Sequence, residues 1–193
     1  MPPVIRYDRN AVLSAAYNLA RRDGISALNA RAVAKEIGSS TQPIFRLYTG
    51  MEELKDDVHA MAEKQVNLFI SQRVQDSAYP LLELGLAYIL FARDEPELFK
   101  MLFMCDRVSC GKCNSFPGEN DYSVHELQRL TGYQPQKAKR MLQWLWIFTH
   151  GLAVGMATKY VKFEETALRE MLSGAFSACK LKMDQYPDEL PVA

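Results

Sequence analysis

The stretch LNARAVAKEIGSSTQPIFRLY, residues 28–48, carries the signals for two short helices separated by a tight turn. Asn29 is a favourable N-cap for the first helix, because its side chain can accept from the exposed amides of the first turn. Gly38 follows the last turn of this helix, and Ser40 is placed to cap the next one. The residues expected to form the inner face of the first helix are Val33, Ala34 and Ile37.

The second helix of this stretch is predicted over about Thr41–Tyr48. Pro43 falls in its first turn, where the backbone amide has no intrahelical partner to lose. Ile44, Phe45 and Tyr48 are expected to anchor this helix in an apolar core. A helix, a glycine-containing turn and a second short helix form the helix-turn-helix pattern, although the same spacing also fits a simple corner between two core helices.

Helical periodicity continues through the rest of the chain, and no segment alternates between apolar and polar residues. The sequence therefore predicts an all-α fold of about nine helices, with domains at 1–50 and 51–193. We expect Ala167, Met171, Ala175 and Ala178 along one face of the last helix, whose small residues Ala167, Gly174, Ala175 and Ala178 would permit close approach of another helix. The further helices are predicted over Asp8–Asp23, closed by Gly24 in the left-handed region, and over Met51–Gln75, Leu81–Ala92, Glu95–Met104, Val124–Leu130, Pro135–Tyr160 and Glu164–Met183, with a loop over Cys105–Asn120.

The charge of the chain is balanced overall, since it has 23 basic and 23 acidic residues. The first fifty residues are different, because their basic residues outnumber the acidic Asp8, Asp23 and Glu36. Such a local excess is compatible with phosphate contacts, and equally with an ordinary solvated surface. The basic residues of this segment are Arg6, Arg9, Arg21, Arg22, Arg31, Lys35 and Arg46.

The exposed residues of the predicted second helix suit the reading of DNA bases. Gln42 can pair with adenine and Arg46 with guanine through two hydrogen bonds each, and Thr41 can reach either base edge. Asn29 and Arg31 can hold phosphates and so fix the register. This pattern predicts DNA binding through the segment between Asn29 and Tyr48.

The runs 28–38 and 40–48 resemble the second and third helices of the TetR family of bacterial transcription regulators. The following Gly50-Met51-Glu52-Glu53-Leu54 resembles the family's entry into its fourth helix. The likeness is close over about Asn10–Leu54, and beyond that it extends to helix number and lengths. It implies a ligand-responsive regulator, usually a repressor, that binds operator DNA as a homodimer. The resemblance further implies that the two copies pair through their last two helices.

Three positions depart from the family pattern, because Phe45, Leu47 and Met51 stand where the family commonly has Tyr, His and Lys. Lys55 or Arg46 is expected to replace the lost phosphate contacts. A helical interaction module that never binds DNA remains open for this reason. The residues predicted to contact DNA are Asn29, Arg31, Ser40, Thr41, Gln42, Pro43, Phe45, Arg46, Tyr48 and Lys55.

The larger domain is rich in aromatic residues, most of which a helical core needs for packing. The resemblance implies a pocket among some of them for a small apolar or aromatic effector. His150 is either a polar anchor for this ligand or a buried histidine with a backbone partner. The residues predicted to line the pocket are Tyr88, Phe91, Phe103, Trp144, Phe148 and His150.

A cysteine cluster is the second motif of the chain. Cys110 and Cys113 form a C-x-x-C motif beside Lys112, and Cys105 lies close in sequence. The first expectation is free thiols, with a redox disulfide or a zinc site completed by His125 as alternatives. A redox- or metal-sensing regulator is therefore kept as an alternative function.

The sequence carries no enzyme motif that we can identify. A phosphate-binding glycine loop, a nucleophile elbow and paired metal-binding histidines are not found in it. The N-terminus lacks the apolar run of a signal peptide, and the most apolar run, Met141–Met156, is shorter than a membrane span. We therefore expect a cytoplasmic protein that is not an enzyme and needs no cofactor.

Overall fold

The computed structural model describes residues 7–104 and 121–187, and all regular structure in these two ranges is helical. The all-α prediction with about nine helices is confirmed. A short 3₁₀ turn, Ile25–Ala27, lies between the first two α-helices. The nine α-helices of the described ranges are α1 (Arg9–Asp23), α2 (Ala30–Glu36), α3 (Gln42–Leu47), α4 (Met51–Val74), α5 (Pro80–Asp94), α6 (Pro96–Phe103), α7 (Asp121–Thr131), α8 (Pro135–Ala157) and α9 (Glu165–Met183).

The chain divides into two compact units. Among the described residues, the first unit comprises 7–67 and 95–104, and the second comprises 68–94 and 121–187. Helix α4 begins in the first unit and ends in the second. The functional boundary predicted near residue 50 stays a prediction, because packing units do not measure which residues bind DNA or a ligand.

The first unit is built on α1, which packs against α2 and α6. The side chain of Asp8 caps α1 by accepting from the amide of Ala11 at 2.8 Å. Arg21 near the end of α1 pairs with Glu95 beside α6, and its Nε donates at 2.6 Å. The predicted apolar stripe of α1 is confirmed, since Val12, Ala16, Leu19 and Ala20 are all buried.

The second unit is built on α5, which packs against α7, α8 and α9. Every residue of α5 from Gly85 to Ala92 is buried, as expected for a helix covered by others on several sides. Arg73 in the last turn of α4 donates to Glu165 of α9 at 2.7 Å, and Arg169 of α9 donates to both Glu165 and Glu83. This ion cluster joins three helices at one end of the second unit.

Two local predictions need correction. Thr41 and not Ser40 occupies the N-cap position of α3, and no side chain caps that helix. Gly24 has φ +85° and ψ 162°, an extended conformation reserved for glycine and not the left-handed helical one. The buried residues on α9 are Leu168, Leu172 and Met183, whereas Ala167, Met171 and Ala175 are half-buried and Ala178 is exposed.

No helix in the described ranges is long and apolar enough to span a bilayer.

Candidate nucleic-acid interface

The turn between α2 and α3 is fixed by backbone geometry that Gly38 permits. Gly38 has φ +66°, in the left-handed region that side chains disfavour. The amide of Ser39 donates to the carbonyl of Ala34 at 2.8 Å, and the amide of Gly38 donates to the carbonyl of Lys35 at 3.2 Å. These two bonds form a Schellman motif, which ends α2 and turns the chain towards α3.

Helix α3 has a buried side and an exposed side. Ile44 is fully buried and Tyr48, just after the helix, is 2% exposed, so the predicted anchor is confirmed at these two positions. Phe45 was also expected in the anchor, and this expectation is wrong, because its side chain is 54% exposed. A helical turn of 3.6 residues places Phe45 outward with Gln42 and Arg46, both of which are exposed.

Arg9 at the start of α1 binds the end of α3 and the first turns of α4. Its guanidinium donates to Glu53 at 2.7 Å, to Asp57 at 2.9 Å and to the carbonyl of Leu47 at 3.1 Å. It also lies over the ring of Tyr48, 4.1 Å from the ring centre. We call this arrangement the Arg9 clasp, and it fixes the orientation of α3 within the first unit.

Two further hydrogen bonds complete the Arg9 clasp. The hydroxyl of Tyr48 donates to Asp57 at 3.2 Å, and burial together with this carboxylate raises the pKa of Tyr48 to about 12. Glu53 accepts from the amide of Thr49 at 2.7 Å and from its hydroxyl at 2.8 Å. The bond from the Thr49 amide has the largest effect on the pKa of Glu53, followed by the bond from Arg9, and together they lower this pKa to about 2. The carboxylate is therefore charged at neutral pH.

The basic residues between positions 7 and 50 fall into two groups. Arg9, Arg21 and Arg22 are held in ion pairs, Arg22 with Asp23 and Glu36. Arg31, Lys35 and Arg46 are exposed and have no ion-pair partner within residues 7–104 and 121–187. Arg31 and Lys35 are four residues apart on α2 and so share a face, as Gln42 and Arg46 do on α3.

The remaining residues predicted to bind DNA have mixed surroundings. Asn29 accepts from the amide of Ala32 at 3.0 Å and donates to the carbonyl of Ala27 at 3.1 Å, so its side chain acts as the predicted cap. Tyr48 belongs to the core, and Lys55 donates to Glu52 at 2.8 Å. Of the others, Ser40 is exposed, whereas Thr41 and Pro43 are half-buried.

Sequence reasoning missed Arg9 and Lys35 as members of this site. The partners of Arg9 lie 38 to 48 positions away in sequence, so no local spacing could have indicated them. Lys35 had a usable signal, because it follows Arg31 by one helical turn.

In the second unit the structure brings Tyr88 and His150 together. The hydroxyl of Tyr88 and Nδ1 of His150 are 2.9 Å apart, and the imidazole stacks on Trp146 with ring centres 4.6 Å apart. Burial lowers the pKa of His150 and raises the pKa of Tyr88, so both groups are neutral at neutral pH.

The other residues predicted for the effector pocket are more widely distributed. Phe91 is buried and meets Phe69 edge to face, with ring centres 5.8 Å apart. Phe103 belongs to the first unit, where it packs on Phe99. Trp144 and Phe148 lie one helical turn apart on α8 and are 38% and 41% exposed. The pocket stays a prediction.

The predicted cysteine site lies largely outside the described residues, because Cys105, Cys110 and Cys113 fall between 104 and 121. His125, its fourth candidate ligand, is exposed on α7. Within the described part of the chain, no three histidines, cysteines or carboxylates are grouped closely enough to hold a metal ion.

Comparison with known proteins gives a likeness in structure. No protein-family model and no curated protein matches the chain. The crystal structure of a TetR-like transcriptional regulator from Rhodococcus sp. RHA1 superposes with a TM-score of 0.63 at 14% identity, covering 92% of this chain and 96% of that one. A TetR variant from Acinetobacter baumannii AYE, in complex with minocycline, gives 0.56 at 15% identity and covers 93% and 97%. The chain therefore has the fold of TetR-like transcriptional regulators, as its sequence resemblance implied.

Proposed function

We propose that the chain is a transcriptional regulator that binds operator DNA as a homodimer and responds to a small molecule. The observation that carries this proposal is the pairing pattern of its cations. Acidic neighbours neutralise Arg9, Arg21 and Arg22, while the cations of α2 and α3 are left exposed for an outside partner. Since DNA offers one phosphate about every 1.7 Å of its axis, it is the natural partner for such a face.

The contacts divide into those that read bases and those that hold the backbone. Gln42 and Arg46 lie on the exposed side of α3, where the amide suits adenine and the guanidinium suits guanine. Arg31 and Lys35 lie on α2, the helix that crosses the backbone in helix-turn-helix complexes. The Arg9 clasp supports this division, because base reading requires α3 to be held in one orientation.

Dimerisation is proposed through α8 and α9. On α8, Trp144, Ile147 and Phe148 form an exposed apolar strip, with Ile147 63% exposed. On α9, an exposed stripe of small residues ends in Leu181, which is 67% exposed. Contiguous apolar surface of this kind is typical of protein contacts. The small residues of the stripe are Ser173, Gly174, Ser177 and Ala178.

Control by an effector is proposed for the second unit. The hydrogen-bonded pair of Tyr88 and His150, with Trp146 stacked on the imidazole, places polar groups among aromatic rings. A planar aromatic molecule with a polar edge would suit these contacts. A thermal-shift screen of fused-ring aromatic compounds should give hits that His150→Ala weakens and that the surface control His125→Ala does not; hits equally affected by both would contradict this assignment.

The central experiment is a gel shift on a duplex that the wild-type protein selects from a random-sequence library. Gln42→Ala with Arg46→Ala should weaken specific binding at least about 100-fold, since each paired contact discriminates by about 1–3 kcal/mol and is used twice in a dimer. Gln136→Ala with Arg140→Ala is a matched control, because the same residue types stand at the same spacing on α8.

The control should leave binding unchanged while the protein stays dimeric. An unaltered shift in the α3 double variant, or an equal loss in the control, would overturn the assignment of the recognition helix. Failure of the wild-type protein to select any sequence would overturn the function itself.

A further inference from the structure

Phe45 lies on the exposed side of α3, between the residues proposed to read bases. It is 54% exposed, although its neighbour Ile44 is fully buried. Gln42 precedes Phe45 by three positions and Arg46 follows it directly, so all three side chains project from one side of the helix. A large apolar ring therefore lies on the same exposed face as the amide of Gln42 and the guanidinium of Arg46.

The orientation of this ring follows from the contacts on the opposite side of α3. Ile44 and Tyr48 are four residues apart and buried, and Arg9 binds the carbonyl of Leu47 and covers the ring of Tyr48. With that side held in place, Phe45 cannot turn into the core without breaking these contacts. Its exposure is a consequence of the Arg9 clasp and the buried anchor.

The edges of DNA bases in the major groove offer one apolar group, the 5-methyl of thymine. Phe45 has no atom that could bond to a phosphate or to a polar base edge, but its ring can cover a methyl group. We infer that Phe45 determines specificity by contacting a thymine methyl, so that each half-site contains a thymine beside the bases read by Gln42 and Arg46. This inference rests on the proposed function, because it assigns a base to the same DNA-binding helix.

Helix geometry limits where this thymine can lie. Gln42 and Arg46 are separated by about 6 Å along the helix axis, at about 1.5 Å per residue. That distance corresponds to about two base-pair steps, at about 3.4 Å each. The thymine is therefore expected within the same two or three base pairs that Gln42 and Arg46 contact.

The experiment replaces thymine by deoxyuridine, which removes the methyl and leaves every hydrogen-bonding group in place. The duplex selected by the wild-type protein is prepared with this exchange at one symmetric pair of thymines at a time, and affinities are measured for wild type, Phe45→Ala and Phe45→Leu. At one pair, the exchange should weaken wild-type binding about fourfold per half-site, or about 15-fold for both, which corresponds to about 0.8 kcal/mol for each buried methyl.

The variants should separate the role of the ring from general weakening. Phe45→Ala should bind both duplexes equally, and Phe45→Leu should keep part of the preference, since leucine retains an apolar contact. Tyr79→Ala removes an aromatic ring that is even more exposed, at 70%, from the second unit, and it should keep the full 15-fold ratio of wild type.

Equal binding of both duplexes by wild type at every thymine, or an unchanged preference in Phe45→Ala, would overturn the inference. In either case the selected duplex would still bind better than a scrambled one if the proposed function holds. Loss of that difference would instead contradict DNA recognition itself, so the two failures can be told apart.

Discussion

Helices α3 and α8 both expose large aromatic side chains, but the residues beside those side chains differ. On α3, Phe45 lies between Gln42 and Arg46, whereas on α8 Trp144 and Phe148 flank the exposed Ile147. Exposure alone therefore does not identify a function for either surface. The neighbouring residues distinguish the two proposals, because amide and guanidinium groups suit base edges, and a continuous apolar strip suits another protein surface.

The largest effect is expected where the apolar strip of α8 is interrupted. Ile147→Arg should dissociate the proposed dimer, because an arginine buried without a partner is costly. Binding to the selected duplex should then weaken at least about 100-fold, because one helix-turn-helix alone contacts few base pairs. The added positive charge would by itself favour DNA, so a loss of affinity must come from lost pairing. Sedimentation and gel shifts on the same samples measure both quantities.

Tyr160→Arg provides the control for this experiment. Tyr160 follows α8, is 88% exposed and lies outside the apolar strip, so the same charge there should leave a dimer that binds normally. A dimeric Ile147→Arg protein would show that α8 does not form the interface.

A second prediction contrasts two neighbours on α3. Ile44→Ala should lower the free energy of unfolding by about 2–4 kcal/mol, since it empties a fully buried site. Phe45→Ala should lower that free energy by about 1 kcal/mol or less, because more than half of its side chain is already exposed to water. Urea unfolding followed by circular dichroism measures both, and similar losses would mean that Phe45 belongs to the core after all.

These contrasts also show what the sequence could and could not predict. The Asn29 cap, the turn at Gly38 and the helical periodicity are local signals, and they correctly predicted the helices and the buried positions of Ile44 and Tyr48. Phe45 was misplaced because its apolar character argued for burial, while its true direction depends on the rotation of α3. The Arg9 clasp sets that rotation through partners far away in sequence, which local spacing does not encode.

The same limit applies to the candidate DNA-binding surface. Composition alone indicated an excess of cations in the first fifty residues, but it could not tell which of them acidic neighbours neutralise. The pairs of Arg21 with Glu95 and of Arg22 with Glu36 arise only when the chain folds. Folding therefore selects Arg31, Lys35 and Arg46 from a larger basic set.

That selection gives a third prediction, with a smaller effect on affinity. Arg31→Ala with Lys35→Ala should make the slope of log affinity against log salt concentration less steep by about 3–4. A dimer would lose four phosphate contacts, and each contributes about 0.9 to this slope. The loss should be similar for all DNA sequences, since phosphates carry no base information. Arg22→Ala also removes a cation but one already paired, so its salt slope should match that of wild type; an equal change in slope would contradict the division into paired and exposed cations.

The smallest effect concerns acid stability of the first unit. The pKa of Glu53 is about 2, below its ordinary value of 4.5, because the amide of Thr49 and the guanidinium of Arg9 bond to the carboxylate. A lowered pKa in the folded state means that the contribution of Glu53 to stability is complete above about pH 4.5 and is lost as the pH falls towards 2. Glu53→Gln should therefore melt at a lower temperature than wild type at pH 7, and the difference should close between pH 4.5 and pH 2.

Glu52→Gln is the matched control, because it removes the same charge one position away and leaves Arg9 and Thr49 in contact with Glu53. Since the Arg9 clasp is exposed to solvent, high salt should shrink the difference, and a gap between the two variants that is independent of pH would show that Glu53 acts through packing and not through its charge.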